Sequence, residues 1–66
     1  MTSEQFIGWL AAMRAAGMGK DQRACAALLE VSENSMTAFK KRGCDTRTAL
    51  ACSALLAGLT PFRGLA

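Results

Sequence analysis

Histidine and tyrosine are absent from this 66-residue chain, proline occurs once, and only five side chains are acidic. These shortages weigh against catalysis. Without histidine or tyrosine there is no paired base for Cys44 or for any serine, and the five carboxylates are scattered with no acid–base pairing. The sequence predicts no enzyme. Metal and disulfide chemistry are also poorly supplied. Cys25, Cys44 and Cys52 are an odd number with no close-spaced pair, and a fourth zinc ligand would have to be Asp or Glu at poor spacing. No metal and no cofactor are expected. Cys25 and Cys52 stand where small buried residues fit, while Cys44, beside Gly43 in a turn, is expected to be exposed.

Long apolar runs are missing as well. The longest uncharged stretch, 48–62, contains Gly58, Thr60 and Pro61 and does not approach a transmembrane span. Glu4 lies where a signal peptide would carry its positive region. Together with the free cysteines, this predicts a cytoplasmic protein with no membrane partner. There are no strand signals, repeats or linkers, so the chain reads as one domain over 1–66.

What is present is apolar and helical. Hydrophobic residues make up 52% of the chain, but thirteen of them are alanines, which bring helices close and bury little area each. Leucine, methionine and phenylalanine must supply most of the core. A domain of this size hides only about 60% of its unfolded surface, so a second copy would help it. The net charge of +3 is unevenly spread. Residues 1–33 hold three basic and four acidic side chains, whereas residues 34–66 hold five basic and one acidic. Four of those five cations lie between Lys40 and Arg47. They form one local patch, which a helix dipole explains in part.

The predicted fold is all-α, a compact four-helix domain with helices at about 3–16, 22–29, 33–42 and 46–57 and room for a short C-terminal turn. Thr2 with Gln5 can form a capping box, and Phe6, Leu10 and Met13 make the apolar stripe of helix 1, widened by Ile7. Trp9 lies off the centre of that stripe, at the edge of the core or toward a partner. Gly8 inside the helix suggests a close approach there. Asp21 is the expected N-cap of helix 2, whose inner face is Cys25, Leu28 and Leu29, with Ala26 small where the next helix crosses. Glu30 and Val31 turn the chain, and Ser32 caps helix 3, where Met36 and Phe39 point inward. Gly43 ends that helix. Asp45 or Thr46 caps helix 4, which carries Ala49, Leu50, Cys52, Ser53, Leu55 and Leu56.

Two helices joined by so short a turn, followed by Lys40-Lys41-Arg42, make a helix-turn-helix facing a polyanion. Reading duplex DNA requires a helix that enters the major groove with its N-terminal half, groups that match base edges, and clamps on phosphates. Asn34 is the best candidate base reader, since its amide can pair bidentately with adenine. A local role in the first turn of the helix is the plainer alternative. Glu33 can accept from cytosine N4 or simply serve as an N-terminal helix charge. Thr37 and Ala38 offer apolar contact to a thymine methyl, and Ser35 suits base or phosphate. Gln22, Arg23, Lys40, Lys41, Arg42 and Arg47 are the candidate phosphate contacts. Any one of them alone is equally readable as a solvated surface group.

From Gln22 to Gly43 the chain resembles the helix-turn-helix domains of phage Cro and C-type repressors and their bacterial relatives. The resemblance rests on Gln22, Ala26, Leu29, Val31, Ser32, Met36 and Phe39. The opening helix and the ending Thr46-Arg47-Thr48-Ala49-Leu50, then Leu55-Leu56-Ala57-Gly58-Leu59-Thr60-Pro61, are similar to small proteobacterial members. The resemblance implies a repressor-like domain in which Gln22 contacts phosphate and Glu33, Asn34, Thr37 and Ala38 face the bases. It also implies a symmetric homodimer that regulates transcription. Two positions depart from the pattern: Glu30 replaces the usual turn glycine, and Lys40 stands where an acidic residue is frequent.

Leu59 and Phe62 are the candidate dimer contacts, with folding back onto their own core as the alternative. The expected function is a double-stranded DNA-binding regulator, most simply a repressor acting by site occupancy, with RNA polymerase or another regulator as a further contact. Two rivals remain. One is a small protein-interaction or antitoxin-like adaptor using the same helical surface, with an apolar contact through Trp9 or Phe62. The other is a non-specific architectural or RNA binder, whose main signature would be salt sensitivity.

Overall fold

In the computed structural model, which describes residues 1–59, the chain forms four α-helices and, among the described residues, no strand. They are α1 (Ser3–Ala15), α2 (Gln22–Leu29), α3 (Glu33–Arg42) and α4 (Thr46–Leu56). Each begins at a short polar side chain, because the first turn of a helix leaves N–H groups without backbone partners. Thr2 Oγ1 accepts from Gln5 N–H at 3.1 Å, and Gln5 Oε1 accepts from Thr2 N–H at 2.9 Å, the reciprocal capping box. Asp21 accepts from Ala24 N–H at 2.8 Å, and Ser32 from Ser35 N–H at 3.1 Å. Asp45, not Thr46, caps α4, accepting from Thr48 N–H at 3.0 Å. α1 and α4 end one residue earlier than predicted, at C-caps Ala16 and Ala57.

Glu30, Val31 and Ser32 join α2 to α3. Glu30 is left-handed, with φ 57° and ψ 42°, a conformation that favours glycine. It nonetheless closes the helix. Glu30 N–H donates to the Ala27 carbonyl at 3.2 Å and Val31 N–H to the Ala26 carbonyl at 3.0 Å, so two carbonyls at the end of α2 find donors. The unusual residue of the turn thus bears the positive φ itself.

α1 packs against each of the other helices. Phe6, Trp9, Met13, Cys25, Ala26, Met36 and Cys52 form the buried core, rimmed by Met1, Leu10, Leu29, Val31, Phe39, Cys44 and Leu55. The Phe6 ring lies 5.4 Å from that of Trp9 and meets Phe39 edge-to-face at 5.3 Å, a favourable arrangement for aromatic quadrupoles. Met36 and Phe39 therefore fasten α3 to α1 from a single side.

Several sequence expectations are corrected. Trp9 is 5% exposed, in the middle of the α1 stripe, and its indole N–H donates to the Cys52 carbonyl at 2.9 Å. The stripe shifts from Leu10 toward Trp9 because α3 and α4 both close on α1. Ile7, two residues or about 200° of helix before Trp9, is accordingly half exposed and does not widen the stripe. By the same geometry Leu28 lies opposite buried Ala26 and Leu50 opposite buried Cys52, and both face outward. Leu56 also stays 37% exposed. Gly8 is exposed, and an added Cβ would meet nothing within 4 Å, so no close approach requires it.

Cys44 is partly buried rather than exposed. Its N–H donates to the Met1 carbonyl at 2.9 Å, its carbonyl accepts from Met1 N–H at 3.2 Å, and its thiol lies 3.6 Å from the Met1 sulfur. Gly43, at φ 85°, makes this crossing feasible, since a Cβ there would collide with the Met1 carbonyl oxygen.

Candidate nucleic-acid interface

α3 has two unlike faces. Met36 is fully buried and Phe39 half-buried, which fixes the rotation of the helix about its axis. Glu33, Asn34, Thr37 and Lys41 are exposed on the other side. Ala38 is half covered, so its methyl offers less contact than the neighbouring Thr37. Ser35 is partly buried, and its hydroxyl lies 3.1 Å from that of Ser32, engaging it in the N-cap. Thr37 donates its hydroxyl proton to the Glu33 carbonyl at 3.1 Å. This leaves the oxygen lone pairs and the methyl group for a partner. Asn34 is the exposed side chain in this half with both an amide donor and an amide acceptor.

The candidate cations lie on three elements. Lys40, Lys41 and Arg42 occupy the last turn of α3, where the negative end of the helix dipole favours them. Arg47 lies in the first turn of α4, and Arg23 in the first turn of α2. Lys40, Lys41, Arg42, Arg47 and Arg23 are all exposed. The fold also brings Lys40 to the half-buried Gln22. The ammonium donates to Gln22 Oε1 at 2.7 Å, across eighteen positions of sequence. Local pattern gave no sign of that pairing, because it depends on how α2 and α3 cross.

The acidic cap of α4 belongs to the same region. Hydrogen bonds from Thr48, side chain and backbone, hold the Asp45 carboxyl below the ordinary carboxylate range, with Arg47 adding a smaller effect. The thiols move the other way. Burial raises the Cys25 and Cys44 pKa values and pushes Cys52 up to about 11, so all three remain protonated near neutral pH. Among the described residues no three His, Cys, Asp or Glu side chains gather as a metal site. No described helix is long and apolar enough to cross a membrane.

A cavity of about 590 Å³, open to the surface, lies between α1 and the start of α2. Leu10, Ala11, Ala15 and Cys25 give it an apolar wall, with Arg14 and Lys20 among its polar lining. Neither Arg14 nor Lys20 is among the candidate contacts that the sequence offers. Of the two candidate dimer residues, Leu59 is 61% exposed, and Phe62 lies outside the described residues. Comparison with protein-family models, with curated proteins and with solved structures gives no match to this chain.

Proposed function

We propose that the chain is a sequence-specific double-stranded DNA-binding regulator of transcription, with α3 as the helix that enters the major groove. The observation that carries this reading is the division of α3. Met36 and Phe39 anchor one side, while the N-terminal half exposes Glu33, Asn34 and Thr37. Side chains of that kind match base edges, and the following cations suit the phosphates on either side of a groove. In this reading Asn34 is the principal base reader, supported by Thr37, Glu33 and Ala38. Gln22, Arg23, Lys40, Lys41, Arg42 and Arg47 hold the backbone, and Ser35 has a smaller part because its hydroxyl is engaged with Ser32.

The simplest action is repression by site occupancy in the cytoplasm. One module this small binds weakly, so a homodimer reading two half-sites is part of the proposal, with exposed Leu59 as one contact. RNA polymerase or another regulator is a further partner. The alternative is a protein-interaction module. Trp9 is buried and therefore is not its contact, but Ile7 and Leu50, each at least half exposed, favour such a surface.

Affinity selection from a randomised duplex library tests the proposal. A two-fold-symmetric motif bound about a thousandfold or more over scrambled DNA is the expected outcome. Recovery of no motif, with affinity that depends on salt alone, would remove sequence-specific recognition and leave a non-specific binder. Retention of no duplex at low salt would leave the protein-interaction module.

A further inference from the structure

The pairing of Lys40 with Gln22 has a chemical consequence. An ammonium group has donors and no acceptor, so only the oxygen of a neighbouring amide can face it. At 2.7 Å the contact is a short, charge-assisted hydrogen bond. The Gln22 amide, which could otherwise turn either way, is thereby set with its NH2 end directed away from Lys40. Gln22 is half-buried, which restrains its stem, while Lys40 is exposed and keeps two further N–H donors. Asp21, the neighbouring carboxylate, has Oδ1 engaged by Ala24 N–H. An acidic residue at position 40 would reverse the arrangement, since a carboxylate draws the NH2 toward itself and leaves the amide oxygen outward.

We propose that Lys40 is a positioning residue that acts through Gln22, and that the two side chains together hold a single phosphodiester of duplex DNA. The inference rests on the reading of the chain as a DNA binder. The amide NH2 and the ammonium group give the pair only donors to offer outward. A phosphodiester supplies the complement, two anionic oxygens that accept hydrogen bonds and one negative charge shared between them. Such a pair contributes grip and register but no sequence information. Lys41 and Arg42, outside the pair, act as separate charges.

The test is a double-mutant cycle of Lys40→Met and Gln22→Ala, read as affinity for duplex DNA that the wild-type protein retains at low salt. Each single change is expected to weaken binding about tenfold, and the double change also about tenfold rather than a hundredfold. Lys40→Arg, which also offers donors only, should recover most of the loss. Lys40→Glu should cost more than Lys40→Met. The parallel cycle of Lys41→Met with Gln22→Ala should be additive.

A neutral methylphosphonate placed at one backbone position at a time supplies a readout that a merely structural role would not move. One position should weaken the wild type by the same factor as Lys40→Met and have no further effect on either single variant. Additive losses in the Lys40 and Gln22 cycle, or the absence of any such position, would overturn the positioning role while leaving DNA binding intact. Failure of the wild type to retain duplex DNA would overturn the functional reading itself.

Discussion

α1 and α3 are both short amphipathic helices, yet they divide their residues in opposite ways. α1 turns Phe6, Trp9 and Met13 into the core, and its exposed side holds Ile7, Gly8, Ala11 and Ala15 beside the scattered polar groups Glu4, Gln5 and Arg14. α3 commits Met36 and part of Phe39, and every other large side chain on it is polar or charged. Under the proposed function, the difference separates two jobs. α1 is the element against which the fold closes, and α3 is attached just firmly enough to present a fixed outer face. Cohesion should therefore be sensitive to substitution on α1, and recognition to substitution on α3.

The largest effect that can sharpen this contrast is Phe6→Ala. Phe6 is 0% exposed and touches both Trp9 and Phe39, so its loss should cost about 3–5 kcal/mol. In a domain of this size, that unfolds much of the population, as urea titration followed by far-UV circular dichroism would record. A small effect would mean that cohesion lies elsewhere. Asn34→Ala should do the reverse. Its stability change is expected within about 0.5 kcal/mol, as for surface sites generally. Preference at one base position should fall by about 1–3 kcal/mol in a competition assay on single-base variants of the selected site. Unchanged preference would remove Asn34 as a reader.

Smaller effects lie between the two helices and on their outer sides. Glu30→Gly should raise stability by about 1 kcal/mol, because the left-handed turn then needs no side chain in a disfavoured region. DNA affinity should be preserved in that variant, and a loss would show that Glu30 has a role beyond the turn. Gly8→Ala, on the open side of α1, should also gain about 1 kcal/mol or slightly less, measured as a shift in the urea midpoint.

The least effect is a pH dependence at the start of α4. The folded-state pKa of Asp45 is lowered, so its stabilising contribution is present above the ordinary carboxylate pKa and fades as the pH falls through the lowered value. Asp45→Asn should flatten that part of the acid unfolding curve.

Much of the fold was legible because its signals are local. Thr2, Asp21, Ser32 and Asp45 start their helices through bonds to residues three positions on, and such bonds can be read from adjacent sequence. The outward face of α3 was legible too, since Met36 and Phe39 fix its phase. The burial of Trp9 was not, because it follows from α4 offering a backbone carbonyl forty-three residues away. Cys44 was misplaced for a similar reason, its neighbour being Met1. Leu28 and Leu50 are apolar by type but lie about 200° of helix from buried neighbours, and composition alone does not give that phase. Within the site, the engagement of Ser35 with Ser32 and the meeting of Lys40 with Gln22 depend on side-chain geometry that residue spacing does not encode.

The division between cohesion and recognition is tested most directly by titrating the 15N-labelled protein with the selected duplex and following every backbone amide by NMR. The expected result is that shifts concentrate at Gln22, Glu33, Asn34, Thr37, Lys40, Lys41 and Arg47, while Glu4, Ile7 and Ala11 on the outer side of α1 stay in place. Shifts centred on Ile7 or Leu50, or no shifts at saturating duplex, would contradict the assignment of recognition to α3.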